Sequence, residues 1–215
     1  MARGSVQGGT AVECPLLLTP GCHNAFMNLP AFLTLRPAEL RDVTTIVELI
    51  RELAEFEKLA HLVQATPEKL RPHLFGENAV AEALVAEVRE EHSSSREATV
   101  VGFALFFTNF STFLAQPGLY LEDLYVRPSQ RGKGIGEALL TRLARMAAER
   151  GYGRFEWSVL DWNENAMRFY RRMGATVMPD WRICRITGEA LQAFGESRGS
   201  GESKPAGEPR PGLRS

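Results

Sequence analysis

No stretch of this 215-residue chain approaches the run of about 20 apolar residues that a membrane-spanning helix needs. The apolar cluster nearest the start, Leu16-Leu17-Leu18, is shorter than the roughly 7–15 residues of a signal-peptide core. Neither sign of charge dominates: 25 Lys and Arg stand against 26 Asp and Glu, a formal net charge of −1. That balance gives no broad electrostatic attraction to nucleic acid or to an anionic membrane. Cysteines are few. Cys14, Cys22 and Cys184 form no disulfide framework, and their scatter suits a reducing compartment. The histidines, His23, His61, His73 and His92, show no metal-binding spacing. The one exception is the Cys22-His23 pair with Cys14, in a segment without structural periodicity, whereas structural zinc wants four ligands on an ordered scaffold. A cytoplasmic, metal-free protein is expected.

What is present is organised. Residues 1–31 are rich in Gly, Thr and Pro and are expected to be a disordered or non-native extension; Met27 is a possible start of translation. Residues 195–215 mix Gly, Pro, Ser and alternating charges, with too few apolar side chains to offset ordering entropy, so a disordered tail is expected. Between them, residues 32–194 read as one α/β (α+β) domain. "FLTLRP" is a short strand. Val43, Ile46, Val47, Ile50, Leu53 and Ala54 recur at helical spacing. Thr66 and Pro67 open a second helix as cap and first-turn residue. "AEALVAEV" and "TVVGFALFFTNF" read as hairpin-linked strands around "REEHSSSREA", and "LYLEDLYV" as the next strand. A helix is expected from Gly134 to Arg150, ended by Gly151. "RFEWSVL" reads as a strand, Asn163 to Met173 as a helix ended by Gly174, "WRICRI" as a last strand and "GEALQAF" as a closing helix. The interleaving predicts a mixed sheet with helices packed on it.

The stretch "QRGKGIG" joins a strand to a helix. Gly132, Gly134 and Gly136 remove side chains from the turn, so backbone N–H groups can point into the space above the helix N-terminus. Those groups lack intrahelical partners and carry the positive end of the helix dipole. A phosphate or pyrophosphate fits such a place, and Arg131 and Lys133 add positive charge at the rim. A tight turn without ligand remains the plain reading of three glycines. The P-loop is excluded, because no G-x-x-x-x-G-K-[ST] occurs. The dinucleotide fingerprint is excluded too, because its third glycine position holds Leu139.

Arg131-x-x-Gly134-x-Gly136 after a strand ending in Val126 resembles the acyl-CoA signature of the GNAT superfamily of N-acetyltransferases. The resemblance implies the GNAT fold, a mixed and mostly antiparallel central sheet flanked by helices. It implies that loop amides from Gly132 through Lys133, Gly134, Ile135 and Gly136 hold the pyrophosphate of acetyl-CoA. It also implies a bulge in the preceding strand, with the backbone of Leu124, Tyr125 and Val126 pairing with the pantetheine arm. "DWNENAMRFYRRMGA" is similar to the superfamily's second coenzyme motif. There the Asn, Asn163 here, contacts the coenzyme arm, and the Tyr, Tyr170 here, protonates the leaving thiolate. Seven residues apart, the two share a helix face. By their residue types alone, Asn163 can equally be an N-cap and Tyr170 a half-buried core aromatic.

Acyl transfer to an amine explains why carboxylates sit in an apolar strand. An alkyl ammonium with a pKa near ~10 is mostly protonated at neutral pH and is not a nucleophile. A carboxylate on a rigid strand can bind the cation, align it and take its proton, directly or through water. Period-2 alternation puts Glu122 and Asp123 on opposite faces, unless a bulge disturbs it. Both can also be structural ion-pair partners.

"YLED" resembles the diamine, polyamine and thialysine acetyltransferase branch, as do "IRELAEFE", "STF" at Ser111 to Phe113 and "DWRICRI". In that branch the Glu is the water-relayed base or amine binder, the Asp attracts the cation, and an aromatic matching Trp181 lines the acceptor pocket; a core or dimer-contact role for Trp181 stands beside this. The branch implies a homodimer. The spermidine/spermine-specific members carry more acids where this chain reads "NFSTFLAQPG" and "VMPDW", with only Asp180. That favours a shorter diamine or an amino-acid-like amine. Cys184 lies on the expected last strand with no His placed to activate it, which argues against an acyl-enzyme. The expected function is therefore transfer of acetyl from acetyl-CoA to a primary amine of a small cationic molecule in a ternary complex. A protein or peptide acetyltransferase and a non-catalytic acetyl-CoA sensor are the alternatives.

Overall fold

The computed structural model describes residue 30, residues 32–89 and residues 98–199. Met27, Cys14, Cys22, His23, most of the "REEHSSSREA" loop and the segment beyond residue 199 lie outside them. The chain divides into two compact units after Asn163.

The first unit is built on five strands: β1 (Leu33–Pro37), β2 (Glu82–Val88), β3 (Thr99–Ser111), β4 (Gln116–Val126) and β5 (Arg154–Trp157). They lie in chain order across one sheet. β1 to β4 pair antiparallel and β5 joins β4 in parallel, the mixed and mostly antiparallel sheet expected. Helix α1 (Val43–Phe56) buries Ile46 and Leu49, and α2 (Pro67–Phe75) buries Leu74, against Val85, Phe103, Leu105 and Tyr125 on one face of the sheet. Helix α3 (Ile135–Glu149) buries Leu139 and Leu143 against Phe106, Leu119 and Leu121 on the other. Each of these wholly buried leucines contributes about 2 kcal/mol of transfer energy. The Thr66 hydroxyl accepts from the Lys69 N–H at 3.3 Å, capping α2 where Pro67 begins it. Buried Asp42 takes a bidentate grip from Arg36, at 2.6 and 2.9 Å, which fastens the entry to α1 onto β1.

The second unit holds α4 (Glu164–Arg172) and α5 (Gly188–Gly199). Gly174, at φ 92°, turns the chain out of α4.

Three elements depart from the sequence pattern. β5 ends at Trp157, short of the expected Leu160, because its ladder stops opposite Leu121, where β4 bulges. Residues 181–186, read as a strand, are irregular, and no ladder among the described residues includes them. Their apolar positions break period 2, and both Ile183 and Ile186 are exposed; a strand exists only where a partner edge takes its hydrogen bonds. α5 runs to Gly199, past the expected Phe194. No described helix is long and apolar enough to cross a membrane.

Candidate active site

The two carboxylates sit at a register break. Leu105 pairs with Asp123 and Phe106 with Leu121, so Glu122 is the extra residue of a β-bulge. The bulge overturns the expectation of opposite faces. Before it, Leu119 and Leu121 face the α3 side; after it, Leu124 and Val126 do. Glu122, next to Leu121, and Asp123, next to Leu124, therefore both lie on the face that α1 covers. Glu122 is exposed and Asp123 is half-buried. Burial, then the charges of Glu122 and Glu57, pushes the Asp123 carboxyl up to about 6. Glu57 follows α1 directly, and burial raises its carboxyl as well. Glu57 closes the stretch "IRELAEFE", and nothing in that local pattern marks it as a neighbour of Asp123.

Beyond the bulge β4 has an open edge. β5 covers β4 only from Gly118 to Leu121, so from Glu122 to Val126 that edge has no ladder partner among the described residues. The Arg127 N–H donates to the Val101 carbonyl at 2.9 Å, which turns Arg127, and by alternation Tyr125, towards β3. Leu124 and Val126 consequently present their backbone groups to the open edge. Tyr125 does not: its backbone serves the β3 ladder and its ring lies in the core. Of the three residues expected to pair with a coenzyme arm, two are turned that way.

The open edge leads into the glycine loop. Gly132 and Gly134 have φ of 76° and 79°. A Cβ built on either meets nothing within 4 Å, so the left-handed backbone itself, and not crowding, calls for glycine. Gly134 caps α3 without a side chain. The first helical bond runs from Ala138 N–H to the Gly134 carbonyl at 2.9 Å. The N–H groups of Ile135, Gly136 and Glu137 precede it and have no intrahelical acceptor. Lys133 Nζ donates to Gln130 Oε1 at 2.8 Å. Arg131 is not simply a charge at the rim. Its Nε donates to the Val126 carbonyl at 2.9 Å, and its guanidinium lies 5.0 Å from the Phe56 ring centre and 5.4 Å from that of Tyr125.

The remaining expected residues belong to the chain after β5. Asn163 closes the first unit, with its N–H on the Leu160 carbonyl at 2.8 Å. Tyr170 is in α4, its ring 5.4 Å from that of Phe169. Trp181 is 70 % exposed, which does not fit a core role. Cys184 is exposed and lies in an irregular segment, not on a strand. No group of three or more His, Cys, Asp or Glu among the described residues is placed to hold a metal ion.

An open strand edge that runs into a side-chain-free helix mouth suits a long polar arm ending in a diphosphate. In agreement, the sequence model of the acetyltransferase (GNAT) family matches residues 48–175, from within α1 to the turn after α4. The chain belongs to that family, and its class is that of the N-acetyltransferases. Among relatives, it is 40% identical over 161 residues to a thialysine N-epsilon-acetyltransferase of Mus musculus, covering 74% of this chain and 94% of that one. It is 37% identical over 200 residues to an L-ornithine N5-acetyltransferase of Arabidopsis thaliana, covering 76% and 88%. In fold it resembles an integron cassette protein from the mobile metagenome of V. cholerae, with a TM-score of 0.61 at 24% identity over 76% of this chain and 98% of that one.

Proposed function

We propose that the protein moves an acetyl group from acetyl-CoA to a primary amine of a small cationic molecule, a short diamine or a thialysine-like amino acid. One observation carries the reading: the bulge puts Glu122 and Asp123 on one face of β4 where its open edge begins. The relatives named for thialysine and L-ornithine support an amine borne on a short chain.

The residues present fit the coenzyme. Leu124 and Val126 offer backbone groups to its arm, and the amides of Ile135, Gly136 and Glu137 offer donors to its diphosphate. Acetyl-CoA, when bound, supplies an activated thioester. Glu122 and Asp123 hold the acceptor ammonium by charge and align it. A carboxyl near 6 is mostly ionised at pH 7 yet more basic than an ordinary Asp, so Asp123 is suited to take the proton that the amine must lose. The amine nitrogen then forms a bond to the acetyl carbon as the carbon–sulfur bond breaks. Tyr170 gives its phenolic proton to the departing sulfur, the second proton that the nitrogen sheds as the amide forms restores the phenol, and Asn163 helps hold the arm. The two substrates react in one ternary complex without an acyl-enzyme.

An amine panel with acetyl-CoA, read as free thiol release, tests this. Release with thialysine, ornithine or short diamines, well above that with peptides, is the expected result. Release with peptides alone would make the protein a peptide acetyltransferase. Coenzyme uptake without release for any amine would make it a sensor.

A further inference from the structure

The glycine loop poses a mechanical problem. Gly132 and Gly134 carry no side chains, and even an added Cβ would touch nothing within 4 Å. Lys133 reaches Gln130, which belongs to the same turn. Packing holds the helix mouth only from Ile135, whose side chain is buried, and does not reach the residues from 132 to 134 ahead of it, yet the proposed ligand needs the whole turn pre-aimed. Arg131 supplies the missing anchor. Its Nε bonds the Val126 carbonyl at the end of β4, and its guanidinium lies over two rings from different elements, Phe56 at the end of α1 and Tyr125 in β4. Phe56 is itself backed by Trp162, at 5.9 Å between ring centres. One side chain thus ties the loop to a strand end and a helix end.

We propose that Arg131 is a positioning residue, a latch that fixes the glycine loop and occupies the Val126 carbonyl, and that its positive charge is not what binds the coenzyme. With that carbonyl taken, the ladder available to a coenzyme arm on the open edge of β4 ends at the Val126 N–H. This rests on the acetyl-CoA reading above, and it makes a distinction that charge alone reverses. Gln carries its amide nitrogen the same number of bonds from Cα as the Nε of Arg, so Arg131→Gln keeps a donor for Val126 and a planar group for the rings, without charge. Arg131→Lys keeps the charge but places a methylene where the donor must be.

The test compares wild type, Arg131→Gln and Arg131→Lys. Calorimetry measures uptake of CoA and of pantetheine, and hydrogen exchange follows the amides of residues 132–136 in ligand-free protein. The latch predicts that Arg131→Lys loses about tenfold in affinity, the worth of one good charged hydrogen bond. It predicts a smaller loss for Arg131→Gln, and unchanged affinity in both variants for pantetheine, which has no diphosphate for the loop amides to hold. Exchange in the ligand-free loop should be fastest in Arg131→Lys. The reverse order, with Arg131→Lys near wild type and Arg131→Gln weakened, would overturn the proposal; so would a loss of pantetheine affinity as large as that of CoA, or two variants that both match wild type. Should wild type take up no CoA, the function proposed above fails, and the exchange order alone decides the latch.

Discussion

Replacing Asp123 by Asn should give a protein that is more stable and less active, by amounts that depend on pH. The Asp123 carboxyl ionises near its ordinary 3.8 in the unfolded chain and at about 6 in the fold. Below the first value both states hold the proton, and burying the group carries no charge penalty. Above the second, both are ionised and the fold bears the full penalty. In between, the native state binds more protons than the unfolded one, so wild-type stability falls as pH rises. The gap of about 2 pH units corresponds to about 3 kcal/mol at 1.36 kcal/mol for each. Asn keeps the shape and removes the charge. Urea unfolding from pH 4.5 to 7.5 should therefore show the stability of Asp123→Asn minus that of wild type growing by about 2 kcal/mol and levelling off above pH 6.5. Amine turnover should drop at every pH, because the proton acceptor has gone. A stability difference that does not change with pH would refute the claim that burial and the neighbouring carboxylates hold this group out of its normal range.

Wild-type kcat/KM for the amine should fall as pH drops through about 6, as Asp123 takes up its proton; a profile flat to pH 5 would remove Asp123 from the chemistry. Tyr170→Phe should lower turnover by roughly 10²–10⁴-fold, the usual worth of a positioned acid, and leave CoA affinity in place. Glu122→Gln should raise KM for the amine more than that for acetyl-CoA, and equal damage to both would mark Glu122 as structural. Gly134→Ala should destabilise the protein by roughly 1 kcal/mol, from the left-handed backbone alone, and weaken CoA uptake in calorimetry. An unchanged melting temperature there would mean that the loop relaxes freely.

Local chemistry was legible where local physics decides. The apolar spacing from Val43 to Ala54 gave α1, Thr66 and Pro67 gave the start of α2, and Gly151 and Gly174 marked helix ends, because caps, φ and helical period act within a few residues. The three glycines before Ala138 announced a helix mouth free of side chains for the same reason. Pairing across the sheet was less legible. Residues 181–186 carry a strand-like composition and form no strand, since a ladder needs an edge that composition does not supply.

The site divides along the same line. From its sequence the chain supplied the parts, two carboxylates in an apolar strand, a glycine loop and an arginine beside it, and their order along the backbone. Tertiary structure alone decided that Glu122 and Asp123 share a face, because one unpaired residue in β4 shifts the alternation that sequence parity assumes. It also decided the basicity of Asp123, which depends on burial and on Glu57 from a distant helix end. The partner of Arg131 was likewise settled only by the fold, because Val126 O, Phe56 and Tyr125 meet there from a strand and a helix that no short window of sequence joins.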